Sequence, residues 1–523
     1  MRAAAVASGV NTAAQPEAAE SGPARWAFVG IASLAIVVYW WVHGLAGFSF
    51  PVPWGDEGAF LWQAIALQEH GTLLAPQLHP DRPILWMTPA YPIVMGATFR
   101  ITGFSLEWAR TLSACFLTGG FIALALTVRS LRAPFAGLLL LCGVFLGRDF
   151  VLSGNLARME ALLVASLGVA SLLLLRGRRI EAVALLGLTP LIHPNALLPA
   201  AAAAVYAGIG WVRSPDDWRP TRVGGLCLAT TASAWLAYGV YVGLHWSDFL
   251  HDMAFQLDWK EQPGPFDSGF WLRWLEPERL AVGLALGVAL VAGNALKSPS
   301  VRLLLIAIPL QLLPLTPEEW YYGILRALIF WFACVCLLDV ADRAADALAA
   351  DRRTRAGVAL LLLALAGLGG RFANRIESPF GYPHAMRVAD MTITPEPVYI
   401  DDGDRVAVRA FLARVASKAA AAGRPSPTVL FVPWVDALFF HDLDGQGLRL
   451  AHPTLRTVQP DLAILHLTRL IPASNIFYAR QNLIAATRGL PTLRLRDETE
   501  EWRVNHRPRP TAHGARESRR RTR

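Results

Sequence analysis

The sequence predicts a polytopic α-helical membrane protein that carries a small soluble α/β domain near its C-terminal end. Of its 523 residues, 54% are hydrophobic and only 17% are charged, and the apolar runs repeat at the length of a bilayer span. Beyond Gly370 the composition changes, because Pro, Asp and Arg become more frequent and the apolar runs become short. This composition excludes an ordinary soluble enzyme.

The apolar runs predict about eleven membrane-spanning helices by their hydropathy. They are residues 26–47, 108–128, 133–153, 159–175, 180–194, 195–211, 223–244, 279–296, 302–316, 323–340 and 356–371. The segment 89–103 is also apolar, but counting it as a span would move every later basic cluster to the outer side. We therefore interpret it as a surface or re-entrant helix.

The charges of the loops predict the orientation of the chain. Arg2 and Arg25 precede the first span, which indicates a cytoplasmic N-terminus. The loops that this orientation places inside carry Arg129 and Arg132, Arg176, Arg178 and Arg179, Arg213, Arg219 and Arg222, Lys297, and Arg343, Arg352, Arg353 and Arg355. An odd number of spans puts the C-terminus outside. The net charge of +8 thus reflects orientation and a basic tail, and it does not indicate binding to nucleic acid.

Four regions follow from this map. Residues 1–25 are predicted to be a flexible cytoplasmic leader, residues 26–370 the membrane domain with a long outer loop over 48–107, residues 371–502 an extracytoplasmic α/β domain, and residues 503–523 a basic disordered tail.

Within the C-terminal domain, helical periodicity covers 406–422, and the apolar runs 428–432 and 462–467 predict buried strands. We interpret His441, Asp442 and Asp444 as a polar turn and not as a metal site.

Two adjacent carboxylates, Asp56 and Glu57, follow the first span directly. They therefore lie at the outer membrane edge, at the head of a segment, 59–70, that reads as a helix lying along the membrane surface. This position could hold a carboxylate where a lipid-borne substrate meets water. The sequence supports equally a structural interpretation, in which Asp56 is an N-cap and Glu57 an acid that the helix dipole favours.

Other polar residues recur at the outer ends of the predicted spans, where unpaired charge is costly. Glu160 opens the fourth span and follows Arg158, although a dipole-favoured acid and an interfacial anchor would look the same. His193 precedes Pro194 at a break in the chain, where a structural role is the alternative. Arg326 lies about one turn inside a later span, where it could bind an anion or extend to the interface.

The order of these features resembles the GT-C superfamily of polyprenyl-phosphate-sugar-dependent glycosyltransferases, close to protein mannosyltransferases and lipid A aminoarabinose transferases. The resemblance covers about residues 26–370. It rests on Asp56-Glu57 after the first span, the surface helix 60–71, residues 88–92 at the start of a second outer helix, residues 107–110, the stretch 154–162 with Arg158-Met159-Glu160, the segment 191–195, and Tyr321-Tyr322 with Arg326. The chain has Glu160 where the family usually has Asp, and His193 where it usually has Lys.

The resemblance implies a GT-C-like fold and transfer of a sugar from a polyprenyl-phosphate donor to an acceptor, with inversion. It implies that Asp56 is the base, and that Glu57 and Glu160 orient the acceptor or hold a divalent cation together with Asp56. It further implies that Arg158, His193 and Arg326 bind the donor phosphate. The acceptor could be a glycan, a lipid or a protein, and a divalent cation is a possible cofactor.

The expected location is the bacterial cytoplasmic membrane, with membrane lipids around the spans and the active site facing the periplasm or the cell exterior. A transporter or lipid flippase without transferase activity is the main alternative, although it would place charges near the middle of the membrane. A membrane scaffold that presents the outer domain to a partner is a third.

Overall fold

A computed structural model describes residues 22–46, 55–79, 81–259, 275–313, 319–348, 357, 386–387, 392–393, 402–432, 434–451, 461–466 and 492–495. The predicted leader up to residue 21, all but one residue of the predicted span 356–371, and the basic tail lie outside this part of the chain. The side chain of Asp56 also lies outside it, although its backbone is described.

The first four helices follow the prediction closely. Helix α1 covers Gly22–Ala46, α2 Gly55–His70, α3 Ala90–Thr102 and α4 Leu106–Arg129. Helices α1 and α4 confirm the predicted helices 26–47 and 108–128, and α2 and α3 are the two outer-loop helices. The backbone N–H of Trp108 donates to Ser105 Oγ over 3.2 Å at the N-cap of α4, which fixes where this helix begins.

Seven helices make up the middle of the chain. They are α5 Pro134–Phe145, α6 Arg148–Gly154, α7 Met159–Leu175, α8 Arg179–Leu188, α9 Leu197–Arg213, α10 Arg222–Leu244 and α11 Trp246–Trp259. The predicted span 133–153 is therefore two helices, because the chain turns at Leu146 and Gly147. The predicted span 180–194 ends as a helix at Leu188, and Pro190, which has no N–H to donate, follows in a 3₁₀ turn.

Three further helices are described before the C-terminal unit: α12 Pro277–Ala295, α13 Leu304–Gln311 and α14 Glu319–Ala347. In the part of the chain that the structure describes, 6 helices are long and apolar enough to cross a membrane, and three shorter apolar helices accompany them. These helices indicate a membrane protein. The predicted span 302–316 is shorter than expected, since α13 has only 8 residues and contains Pro309.

Burial separates the centre of the helix bundle from its periphery. The most apolar stretch of α14 is 94% buried, whereas that of α10 is 6% buried. Most of the exposed side chains of α10 are apolar nonetheless, among them Leu226, Leu236 and Leu244. An apolar exposed surface of this kind suits contact with lipid. Helices α4 and α7 approach each other closely at Gly120 and Gly168. A Cβ on Gly168 would lie only 2.9 Å from the carbonyl oxygen of Gly120, so the small residues permit this approach.

The C-terminal unit is an α/β structure, as the sequence predicts. It contains a two-stranded antiparallel pair, β1 Met386–Arg387 with β2 Thr392–Ile393, then helix α15 Asp402–Ala421. A four-stranded parallel sheet follows in the order β4-β3-β5-β6, with β3 Thr428–Val432, β4 Arg449–Ala451, β5 Leu462–His466 and β6 Thr492–Leu495. Strands β3 and β5 lie where the apolar runs predict them.

The C-terminal unit packs on the outer loop. Gln77 Nε2 donates to Asp444 Oδ2 over 2.5 Å, and the rings of Phe104 and His441 meet edge to face with centroids 4.7 Å apart. Its buried apolar residues belong to the same core cluster as those of the membrane helices. His441 and Asp442 lie in a 3₁₀ segment, Trp434–Leu443, and Asp444 forms an isolated bridge with Leu448 across the turn 445–447. The predicted polar turn is therefore a 3₁₀ segment followed by a bridge and a turn.

Candidate functional site

The first turn of α2 is anchored by a buried ion pair. Both oxygens of Glu57 accept hydrogen bonds from Arg110 on α4, from Nε over 2.9 Å and from Nη2 over 2.7 Å. Both side chains are completely buried. The planar guanidinium matches the carboxylate in this two-bonded geometry, so the pair fixes the start of α2, and with it Asp56, against the first turn of α4.

The segment 154–158, which runs from the last residue of α6 to the start of α7, joins the end of α1 to the start of α2. The backbone N–H of Ala157 donates to Glu57 Oε1 over 2.7 Å. Asn155 is fully buried, and its Oδ1 lies 2.5 Å from Nδ1 of His43 in the last turn of α1. The ends of α1 and α2 are thereby joined through one short loop.

A second buried ion pair stands at the start of α7. Arg158 donates to Glu160 from Nη2 over 2.9 Å and from Nε over 3.2 Å, and both side chains are nearly inaccessible. The backbone of Arg158 is extended while Glu160 is already helical, which lets the arginine fold over the first turn of α7. The guanidinium also lies 6.0 Å from the ring centre of Phe60, one turn after Asp56 on α2.

His193 lies beside this second pair. Its Nδ1 accepts the backbone N–H of Asn195 over 3.1 Å as the N-cap of a 3₁₀ turn, Pro194–Ala196. A neutral imidazole has one acceptor and one donor nitrogen, so this bond assigns the proton to Nε2. Nε2 is buried, has no hydrogen-bond partner in the described part of the chain, and lies 3.8 Å from Glu160 Oε1. Thr88 in the outer loop donates to the carbonyl of the preceding residue, Ile192, over 2.7 Å.

Tyr91 on α3 brings the two ion pairs into one site. It is fully buried, and its hydroxyl lies 3.3 Å from Ser113 Oγ. Burial raises the pKa of Tyr91 well above its usual value, and the nearby charges of Glu57 and Glu160 raise it further while that of Arg158 opposes them. The charges of both glutamates therefore act on the same phenol, although Glu57 and Glu160 lie far apart in the sequence.

The structure thus brings Glu57, Arg158, Glu160 and His193 together, and it places the backbone of Asp56 beside them. Arg326 lies on α14 and is partly buried, and its Nε has no hydrogen-bond partner among the described residues. No described contact joins Arg326 to the other four. Its near neighbour Gly323 packs against the carboxyl group of Asp149, which a Cβ at that position would meet.

Sequence reasoning did not foresee the roles of Arg110, Asn155 and Tyr91. Arg110 carried a signal, because an arginine inside a predicted span is a functional candidate, and it lies within the predicted helix 108–128. Tyr91 and Asn155 lie in segments that belong to the resemblance, 88–92 and 154–162, but nothing in the sequence indicates their contacts.

Within the described residues, no group of three or more His, Cys, Asp or Glu side chains could hold a metal ion. Comparisons with protein-family models, with curated proteins and with solved structures return no match.

The opposite end of the bundle also carries polar residues, but these residues pair with one another and have a structural role. Asp339 on α14 is buried and accepts hydrogen bonds from Ser298 and from Arg343, and Arg132, just after α4, pairs with Asp342 and Asp346. A helix of the length of α4 spans about 36 Å, so the two polar clusters mark its two ends.

Proposed function

We propose that this chain is a membrane glycosyltransferase that transfers a hexose or pentose from a polyprenyl-phosphate donor to an acceptor on the extracytoplasmic side. One observation carries the proposal. Charged residues far apart in sequence, Glu57, Arg158 and Glu160, converge where the outer-loop helix α2 begins, at one end of an apolar bundle. Buried charge is costly and is concentrated at functional sites, and this place is the one that the resemblance to the GT-C superfamily assigns to catalysis.

The topology belongs to the same proposal. About eleven spans, a cytoplasmic N-terminus and an outer C-terminus would place this site at the periplasmic face of a bacterial cytoplasmic membrane. The proximity of Arg132 to Asp342 and Asp346 supports it, because two loops assigned to the cytoplasm then lie at the same end of the bundle.

In the proposed reaction, an acceptor hydroxyl oxygen attacks the anomeric carbon as the bond from that carbon to the phosphate oxygen breaks. The electron pair of the broken bond leaves with the polyprenyl phosphate, and the hydroxyl proton passes to the Asp56 carboxylate. The configuration inverts because attack and departure occur on opposite faces. A phosphate is a competent leaving group, so positive charge must stabilise it and no strong acid is needed.

The residues divide this work according to their contacts. Glu57 is occupied by Arg110 and Ala157, so its role is to position Asp56. Arg326 is the best phosphate ligand, because its Nε has no partner among the described residues and guanidinium groups bind phosphate with two parallel bonds. A divalent cation at Asp56 and Glu160 remains an alternative way to stabilise the leaving phosphate.

The proposal is tested with the full-length protein in lipid nanodiscs and radiolabelled polyprenyl-phosphate sugars. Transferase activity removes label from the lipid, whereas a flippase or a scaffold leaves the donor intact. Asp56→Asn should lower the rate by about 100- to 10,000-fold. Asp81→Asn, which removes an exposed carboxylate from the same outer loop, should leave the rate unchanged. An Asp56→Asn variant that inserts normally and transfers at the parental rate would exclude Asp56 as the base.

A separate binding measurement tests the role of Arg326. Arg326→Ala should weaken binding of undecaprenyl phosphate at least about tenfold, since charge-assisted hydrogen bonds are the strong ones. Unchanged affinity for this lipid would remove Arg326 from the phosphate site.

A further inference from the structure

The cluster of Arg158, Glu160 and His193 has the wrong charge for a phosphate site. Arg158 gives both of its described hydrogen bonds to Glu160, so the positive and negative charges cancel within the pair. Nδ1 of His193 already accepts the N–H of Asn195, so only Nε2 of this ring faces the pair. A phosphate bound at Nε2 of His193 would lie close to the Glu160 carboxylate, because Glu160 Oε1 is 3.8 Å from Nε2, and two neighbouring anions repel each other.

The same cluster has the right donors and acceptors for a sugar. Nε2 of His193 has no hydrogen-bond partner among the described residues, and Glu160 presents a carboxylate oxygen 3.8 Å from it. Adjacent hydroxyl groups on a sugar ring each donate and accept, so one hydroxyl can accept from His193 Nε2 while its neighbour donates to Glu160 Oε1. A buried donor without a partner costs free energy, which a hydroxyl would recover on binding.

We propose that His193 and Glu160 bind two neighbouring hydroxyl groups of the transferred sugar, and that Arg158 holds Glu160 ionised and in place for this contact. The inference rests on the proposed function and deepens it, because it assigns these residues to the sugar and leaves the phosphate to Arg326. It also predicts the substrate class: a sugar with a free vicinal diol.

The N-cap geometry supplies a matched pair of variants. In His193→Asn, the shorter side chain keeps an oxygen near the position of Nδ1, and asparagine is a preferred N-cap residue, so the 3₁₀ turn is retained while the Nε2 donor is lost. In His193→Gln, the longer side chain carries an amide N–H toward the position of Nε2. A loss in the first variant that the second partly restores therefore reports the donor and not the turn.

The test compares two probes on the full-length protein in nanodiscs: undecaprenyl phosphate, and undecaprenyl phosphate that carries glucose, mannose, galactose or arabinose. The parental protein should bind at least one sugar-bearing lipid more tightly than the bare lipid phosphate. His193→Asn should lose about tenfold in affinity for that sugar-bearing lipid, as expected for one buried hydrogen bond, and should bind undecaprenyl phosphate as the parent does. A 2-deoxy or other deoxy form of the preferred sugar should show the same loss with the parental protein.

Equal losses of affinity for both probes would show that His193 contacts the phosphate and would overturn the inference. A His193→Asn variant with unchanged affinity for both probes would overturn it as well. These outcomes leave the proposed function standing as long as the parental protein consumes the donor. A parental protein that consumes no donor and prefers no sugar-bearing lipid would instead remove the proposed function, and this inference with it.

Discussion

Glu57 and Arg110 form an ion pair in which neither side chain reaches solvent. The pair links α2, which carries Asp56, to α4, and Ala157 adds a backbone N–H to the same carboxylate. It therefore does more than neutralise charge: it determines where the first turn of α2 lies relative to the loop that carries Arg158.

Breaking this pair should destabilise the protein strongly. Glu57→Gln leaves Arg110 charged and buried without its anionic partner, and such changes cost about 3–5 kcal/mol. The double variant Glu57→Gln with Arg110→Met removes the stranded charge and keeps an acceptor for Ala157, so it should recover part of this loss. Thermal unfolding of the purified proteins in one detergent measures both effects.

The control for that experiment is Glu69→Gln on the exposed end of α2, which should change the free energy of unfolding by less than about 0.5 kcal/mol. A Glu57→Gln variant as stable as this control would show that the pair does not hold α2.

A second prediction concerns Tyr39 and Gly154, which meet between α1 and the segment 154–158. The Tyr39 hydroxyl is buried without a hydrogen-bond partner among the described residues, and a Cβ on Gly154 would collide with it. Gly154→Ala should therefore destabilise the protein by about 1–3 kcal/mol, the usual cost of overpacking. Tyr39→Phe should be neutral or stabilising, because it removes an unsatisfied polar group.

The two changes should not be additive, since Tyr39→Phe removes the atom that the new methyl group strikes. Unfolding temperatures of the two single variants and the double variant measure this coupling. Gly119→Ala is a suitable reference, because a Cβ at that position of α4 has no neighbour within 4 Å. If Gly154→Ala were tolerated as well as Gly119→Ala, the close packing of the end of α6 against α1 would be wrong.

Local patterns in the sequence predicted the elements but not their partners. Helices α1, α4 and α10 and strands β3 and β5 lie within a few residues of their predicted positions, because apolar periodicity, caps and turn residues are read from neighbouring positions. The predictions of single spans over the apolar runs 133–153 and 180–194 were wrong. Hydropathy does not detect the turn at Gly147 or the 3₁₀ turn at Pro190.

The candidate residues could be identified from the sequence, but the contacts between them could not. Glu57, Arg158, Glu160 and His193 were identified as candidates, each from its place at a helix end. Glu57 pairs with Arg110, 53 residues away, and with Ala157, 100 residues away. No local sequence pattern predicts contacts over such separations. The tautomer of His193 depends on the backbone N–H of Asn195, which becomes an N-cap contact only once the 3₁₀ turn is formed.

The C-terminal unit should show two opposite pH dependences. Hydrogen bonds from Arg409, together with its charge, lower the pKa of Asp442 despite some burial. A carboxyl whose folded pKa is lowered contributes stability above its unfolded pKa of about 3.9, and this contribution is lost as the pH falls through the folded value. Burial instead raises the pKa of Asp444, so its ionised form costs stability at neutral pH, and that cost disappears as the pH falls.

Unfolding temperatures of the full-length protein between pH 7 and pH 3 test both signs. The parent should be more stable than Asp442→Asn at pH 7, and this difference should vanish as Asp442 becomes protonated. For Asp444→Asn, the difference between parent and variant should shift in favour of the parent as the pH falls, because the buried carboxyl becomes neutral there. Asp461, which precedes β5, accepts a hydrogen bond from the backbone N–H of Thr428. It is kept in the parent and in both variants, so that its own titration cancels in the comparison. Parallel pH profiles for the two variants would contradict the assignment of one carboxylate to an ion pair and the other to a buried contact with Gln77.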